Sequence, residues 1–271
     1  MLLKRVLVVI VLLPVGVVLI LFGGVPYAVM IALILSLAAR EFVQLFRAGD
    51  IQPASVLVLL GTLALVISRY LVECDSVDWL LSLLVLSSMA YHLVAFERGR
   101  DKAGSDFGVT LAGILYFGWI GAYLISLREL PEGQWWVLVV LPAVWLADSG
   151  AYFIGRAFGK HKMSPRLSPK KSWEGYLGGV LLGTLGTALL ALLLSLWTGP
   201  GSDITPLRGA IMGLIIALVT PLGDLGESMI KRQVGVKDSS NLLPGHGGAF
   251  DRIDSWLWAG VIGYYLIVWL F

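Results

Sequence analysis

Two short stretches near the C-terminal end hold the side chains best suited to chemistry. In Gly223-Asp-Leu-Gly-Glu-Ser-Met-Ile-Lys-Arg232, the residues Asp224, Glu227, Ser228 and Lys231 fall at i, i+3, i+4 and i+7. On an α-helix those positions share one face, so two carboxylates, a hydroxyl and an ammonium point into one space. In the second stretch Asp251, Asp254 and Ser255 repeat the i, i+3, i+4 spacing, with Arg252 between them. A further acid, Asp148, lies inside the apolar run Trp145-Leu-Ala-Asp-Ser-Gly-Ala-Tyr-Phe153, where a carboxylate is costly and usually functional. Acid pairs of this kind suit a hard divalent cation such as magnesium, which takes one or two carboxylates and completes its shell with substrate phosphates. Lys231, Arg232, Lys237 and Arg252 supply positive charge nearby in sequence. The combination fits phosphoryl or nucleotidyl transfer on a polyanion.

Plainer readings stand beside this one. The first stripe also suits a row of salt bridges at a helix end. The second suits acids capping a helix N-terminus, and Asp148 suits a carboxylate satisfied by a neighbouring helix. Two points favour a site. The first stripe begins inside an apolar run instead of on a solvated face, and the second has one acid more than a cap requires.

Between the two stretches runs Gly235-Val-Lys237-Asp238-Ser-Ser-Asn-Leu-Leu-Pro-Gly-His246-Gly247-Gly248-Ala-Phe250. Its glycines let backbone amides approach a phosphate, although the spacing matches neither the P-loop nor the dinucleotide fingerprint. A basic segment lies upstream, Lys160-His-Lys-Met-Ser-Pro-Arg-Leu-Ser-Pro-Lys170-Lys171-Ser172-Trp-Glu-Gly175. Ordinary cytoplasmic charge or anionic-lipid contact would account for part of it. Its two Ser-Pro steps give it more shape than a generic basic loop. No Cys/His cluster has zinc spacing, and no Gly-x-Ser-x-Gly elbow is present, so hydrolase and zinc chemistry are weakly supported.

The elements that must position these residues are membrane helices. Of the 271 residues 58% are apolar and 14% charged, and mean hydropathy is +0.85. That leaves too little polar surface to coat a globule in water, which excludes a soluble enzyme, a secreted disulfide scaffold and a disordered chain. The single Cys74 forms no internal bridge, and a net charge of +2 gives no reason to expect nucleic acid. Nine apolar runs are candidate spans, the second of them short: 6–22, 25–39, 54–72, 78–96, 107–127, 135–155, 175–197, 207–230 and 255–271. None alternates as a barrel strand does. The expected fold is an all-α polytopic integral membrane protein of about nine transmembrane helices, forming a single membrane domain over 1–271. Its N-terminal helices fill 1–100. Its catalytic helices fill 101–271, with large cytoplasmic loops at 156–174 and 231–254. All but three of the twenty Lys and Arg (Arg69, Arg128 and Arg208) then fall on one side. The positive-inside rule makes that side cytoplasmic, with the N-terminus inside and the C-terminus outside. The first run, preceded by Lys4 and Arg5, is expected to be a retained helix and not a cleaved signal.

The stretch from Ser228 to Asp254 resembles the signature of the phosphatidate cytidylyltransferase family, also called CDP-diacylglycerol synthases. Ser228, Lys231-Arg232, Lys237-Asp238, His246-Gly247-Gly248 and Asp251-Arg252-Ile-Asp254 all fall in register. Ser168-Pro-Lys-Lys-Ser-Trp-Glu-Gly175 and the segment around Asp148 are similar to family elements too, and the layout suits the bacterial form. The first hundred residues match only in general character. The resemblance implies that CTP and phosphatidic acid give CDP-diacylglycerol and pyrophosphate. It further implies magnesium dependence, a homodimer, and a multi-pass place in the bacterial inner membrane with the site at the cytoplasmic face. It assigns metal coordination to Asp224 and Asp251. Asp148, Glu227 and Asp254 are then candidates for a second cation or for the groups around the metal. Lys231, Arg232, Lys237 and Arg252 are expected to neutralise the two substrates. Lys170 and Lys171 are placed to hold the triphosphate or the pyrophosphate, and Ser172, Ser228, His246, Gly247 and Gly248 to contact substrate. Asp238 belongs with the catalytic group by its place in the signature.

Two other functions use the same residues. A CTP-dependent lipid-alcohol kinase or a polyprenyl-phosphate sugar-phosphate transferase would share the acids and the metal but not the product. A cation-coupled transporter would use Asp148 and Asp224 as a relay. Transporters usually carry internal repeats with broken helices at midplane, and no such repeat is visible.

Overall fold

The computed structural model of the chain describes residues 2–71, 77–236, 238–240 and 247–271, with side chains from Ile10 onward apart from Val11. Helices dominate: α1 (Leu2–Phe22), α2 (Gly24–Ala48), α3 (Ser55–Leu71), α4 (Val77–Glu97), α5 (Ala103–Gly113), a π-helical segment (Ile114–Ile120) and α6 (Tyr123–Glu129) come first. After α7 (Gly133–Phe158), strands β1 (Lys162–Ser164) and β2 (Ser168–Ser172) form an antiparallel hairpin. The chain then continues through α8 (Trp173–Thr198), α9 (Pro206–Val219), α10 (Pro221–Gln233) and α11 (Phe250–Leu270).

Among the described residues, seven helical stretches are long and apolar enough to cross a bilayer. They are Gly24–Ala48, Val77–Glu97, Ala103–Glu129, Gly133–Phe158, Trp173–Thr198, Pro206–Gln233 and Phe250–Leu270. The run expected at 6–22 falls within α1 (Leu2–Phe22), and the run expected at 54–72 falls on the shorter apolar helix Ser55–Leu71. The chain is an all-α polytopic membrane protein. Two boundaries differ usefully from those read in the sequence. The run expected to end at 39 continues as α2 to Ala48, because Phe42, Val43 and Leu45 still bury an apolar face. The last helix starts at Phe250 instead of 255, which brings Asp251 and Asp254 into its first turns.

The chain divides into two compact units, one of Met1–Ser126 with Ile230–Ile253 and one of Leu127–Met229 with Asp254–Phe271. In the first, Phe117 is fully buried between Phe42 and Phe250, with ring centroids 5.4 and 5.1 Å away. Edge-on stacking of this kind adds to what apolar burial alone contributes. The Tyr27 hydroxyl donates to the Leu124 carbonyl at 2.9 Å. Buried Asp106 accepts from the Gln52 amide at 2.8 Å and from Arg100 Nε at 2.7 Å, which ties the α2–α3 turn to α5.

In the second unit α7, α8 and α9 pack through small residues. Gly175, Gly179, Gly183, Thr187 and Ala191 recur every fourth position on the buried stripe of α8. A side chain on Gly179 would come 2.8 Å from the Ala147 carbonyl, and one on Gly213 would come 2.7 Å from the Gly183 carbonyl. Without an apolar driving force between helices in lipid, such close backbone approach is what holds them together. The opposite face of α8 exposes Leu177, Leu181, Leu185, Leu189 and Leu196, as a lipid-facing surface should. Pro221, which has no amide hydrogen, marks the break between α9 and α10.

Candidate active site

Helix α10 carries the acidic stripe as its spacing predicts, since Ser228 Oγ lies 3.4 Å from Asp224 Oδ1 one turn away. Gly223 lets α11 approach: a Cβ there would sit 2.7 Å from the Asp254 carbonyl oxygen. Ser255 Oγ donates across the same gap to the Thr220 carbonyl at 3.3 Å. The approach brings Asp224, Glu227 and Asp254 together, with carboxylate oxygens within 4.8 Å of one another. Glu227 and Asp254 are buried, and Asp224 is partly open. Among the described residues this is the one group of three whose atoms can close on a cation. The donors are all carboxylate oxygens, the chemistry that magnesium or calcium prefers, so the site fits the implied metal.

The basic segment reaches this group through the hairpin. Lys171, near the end of β2, places its ammonium 2.6 Å from Asp224 Oδ2. Ser172 then caps α8 by accepting the Gly175 amide at 3.2 Å. Glu174 accepts the amides of Lys160 and His161 at 3.1 and 3.2 Å, fixing the start of the hairpin. Lys170 points to solvent on β2. Asp148 is exposed on α7, and the charges that act on it are Lys171 and Asp224.

A second constellation forms in the other compact unit. Lys231 Nζ lies 2.6 Å from Asp251 Oδ1, both side chains being about nine-tenths buried, at 11% and 9% exposure. Asp251 Oδ2 accepts the Ser239 amide at 3.0 Å, the Ser239 hydroxyl at 2.8 Å and the Gly248 amide at 2.8 Å. A Cβ on Gly247, which has φ +81°, would meet that same oxygen at 2.7 Å, so the position needs glycine twice over.

The sequence model of the cytidylyltransferase family matches residues 3–270. The chain belongs to that family. A phosphatidate cytidylyltransferase of Synechocystis is 32% identical over 283 residues, covering 93% of this chain and 92% of the relative. One from Pseudomonas aeruginosa is 38% identical over 253 residues, covering 92% and 90%. One from Mycobacterium tuberculosis is 38% identical over 175 residues, 64% of this chain and 51% of that one.

Against this family background, the expected site residues separate. Asp224, Glu227, Asp254, Ser228 and Lys171 come together in one unit, and Lys231 and Asp251 in the other. Arg232, Asp238 and Arg252 are exposed. Lys237 and His246 lie outside the described residues. The amide of Gly248, expected to face a phosphate, faces the Asp251 carboxylate. Sequence reasoning missed Glu41, which is 4% exposed and accepts four hydrogen bonds from 239–250. An acid at the end of an apolar run was the available signal. Hydropathy alone ends that run at residue 39 and so leaves Glu41 outside it.

Proposed function

We propose that this chain transfers the cytidylyl group of CTP to phosphatidic acid, producing CDP-diacylglycerol and pyrophosphate. The observation that carries the reading is the carboxylate group Asp224–Glu227–Asp254 with Lys171 on its open side, in a member of the cytidylyltransferase family. A phosphatidate phosphate oxygen attacks the α-phosphorus of CTP, and the bond from that phosphorus to the β-bridging oxygen breaks as pyrophosphate leaves. The attacking phosphate monoester is already ionised at neutral pH, so no strong base is required.

Asp224, Glu227 and Asp254 would hold magnesium, which would supply positive charge to offset that developing on the phosphates. The resemblance also assigns Asp251 to the metal, although in this structure Lys231, Ser239 and Gly248 hold its oxygens. Lys171 and Lys170 take the triphosphate. Lys231, Arg232, Lys237 and Arg252 neutralise the two anionic substrates, and Asp148 acts on Lys171 from α7.

The same reading gives nine crossings, with α1 and α3 completing the seven. The N-terminus and the site lie at the cytoplasmic face of a bacterial inner membrane, and the C-terminus lies outside. The working form is a homodimer.

The test uses detergent-purified protein, phosphatidic acid, magnesium and CTP labelled at its α-phosphate. Label entering the organic phase as CDP-diacylglycerol is the expected result. Label that stays in water at every magnesium concentration, with folded protein, overturns it and favours a lipid kinase or a transporter.

A further inference from the structure

We infer that Glu41 is a positioning residue for the transfer reaction: it fixes both ends of the signature segment 238–250 and, through the Ser239 hydroxyl, the setting of Asp251. The inference rests on the function proposed above.

Glu41 lies on α2, far in sequence from every residue of the signature, yet all four of its bonds go there. Oε1 accepts the Ser240 hydroxyl at 2.6 Å and the Ala249 amide at 3.0 Å. Oε2 accepts the Ser239 hydroxyl at 3.0 Å and the Phe250 amide at 2.8 Å. Among the described residues no cation pairs with it. A buried carboxylate served only by neutral donors is tolerated when all of them are in place, and is costly when they are not. Glu41 therefore discriminates in favour of one arrangement of this segment. A leucine of similar size would fill the space and specify nothing.

Two details connect Glu41 to the chemistry. The Ser239 hydroxyl sits 3.0 Å from Glu41 Oε2 and 2.8 Å from Asp251 Oδ2. It has one proton to give, so the two carboxylates compete for it, and what one gains the other loses. Asp251 in turn holds Lys231. Gly248 completes the link, because a Cβ at this position would overlap both the Ser239 hydroxyl and the Glu41 carboxylate. The second detail concerns α11. Ala249 and Phe250 present amides at its N-terminus, an end that would otherwise attract an anion. Glu41 already occupies it, so substrate phosphate is received by side-chain cations and not by this helix end.

The test is a double-mutant cycle in the full-length protein, with Glu41→Gln, Ser239→Ala and the pair. Glu41→Gln keeps the size and one acceptor but turns an NH2 group toward donors. It is expected to lower kcat by about 10- to 100-fold, as loss of such supporting partners does. The pair is expected to be no worse than the worse single variant, because both act through one link. Wild-type kcat and KM in Glu41→Gln, or two losses that multiply in full, would overturn the inference. If Glu41→Gln does not elute as folded protein, Ser240→Ala removes one donor from the same carboxylate. A loss of roughly three- to ten-fold is expected there, and an unchanged rate counts against the inference. The same cycle read on the thermal midpoint keeps the two readings apart. If wild type moves no label into lipid, the proposed function fails, while additive midpoint shifts would separately dismiss the Glu41–Ser239–Asp251 link.

Discussion

The Lys171 ammonium rests 2.6 Å from an Asp224 oxygen, joining the strand that ends the basic hairpin to the helix that carries the acids. A divalent cation and this ammonium want the same carboxylate. If Asp224 holds magnesium as proposed, the cation would have to compete with Lys171 for this carboxylate, and a displaced Lys171 would be free to meet a phosphate.

Replacing Lys171 by methionine should act in two directions. With its competitor gone, half-maximal activity should come at a severalfold lower magnesium concentration. KM for CTP should rise about 10- to 100-fold, the usual loss for a charge-assisted contact. Initial rates over a grid of magnesium and CTP concentrations give both quantities, and a variant unchanged in both would remove Lys171 from the site.

The carboxylate group makes a separate prediction. Glu227→Gln and Asp254→Asn should each shift the magnesium midpoint upward by about 10- to 100-fold. Chelation of the wild type should abolish transfer, and magnesium should restore it. Asp251→Asn distinguishes the two constellations. A role confined to Lys231 lowers the rate at an unchanged magnesium midpoint, whereas a role on the metal moves the midpoint as well.

Gly213→Ala should destabilise the second unit by about 1–3 kcal/mol, as overpacking does, because the added methyl meets the Gly183 carbonyl and Thr187. Gly108→Ala on α5 is the matched control, with nothing within 4 Å of the new methyl. It should be neutral or stabilising by up to about 1 kcal/mol through helix propensity. Thermal midpoints in one detergent compare the two, and equal shifts would contradict the packing assigned to the α8–α9 seam.

Gly248→Ala should yield folded protein with transfer reduced at least as far as in Glu41→Gln, since the methyl intrudes on Glu41 and Ser239 together. Circular dichroism and the labelled-CTP assay measure fold and rate in one preparation. Full activity would show that the segment tolerates displacement.

Much of the site was legible because its residues lie on continuous helices. The periodicity of 3.6 residues places Asp224, Glu227 and Ser228 on one face without any knowledge of tertiary structure, and the same holds for Asp251 and Asp254. Lys171 was legible only as part of a basic segment, since nothing local announces that β1 and β2 pair and deliver it to Asp224. Glu41 was the hardest. Span boundaries drawn from hydropathy end where charge begins, but α2 keeps burying Phe42, Val43 and Leu45 beyond Arg40. The glycine stripe of α8 is plain in retrospect as a spacing of four, yet its partners on α7 and α9 follow from packing and not from sequence proximity.

The separation of Glu41 from its donors also bears on how the protein is made. The Ala249 amide that completes its shell lies 208 residues further along the chain. At roughly 5–20 residues per second, translation takes on the order of ten to forty seconds to cover that distance. Helix α2 therefore enters the membrane with an acid whose donors do not yet exist, and during that interval water must serve in their place. The bonds from Ala249 and Phe250 to Glu41 can form only after that stretch of chain has been made.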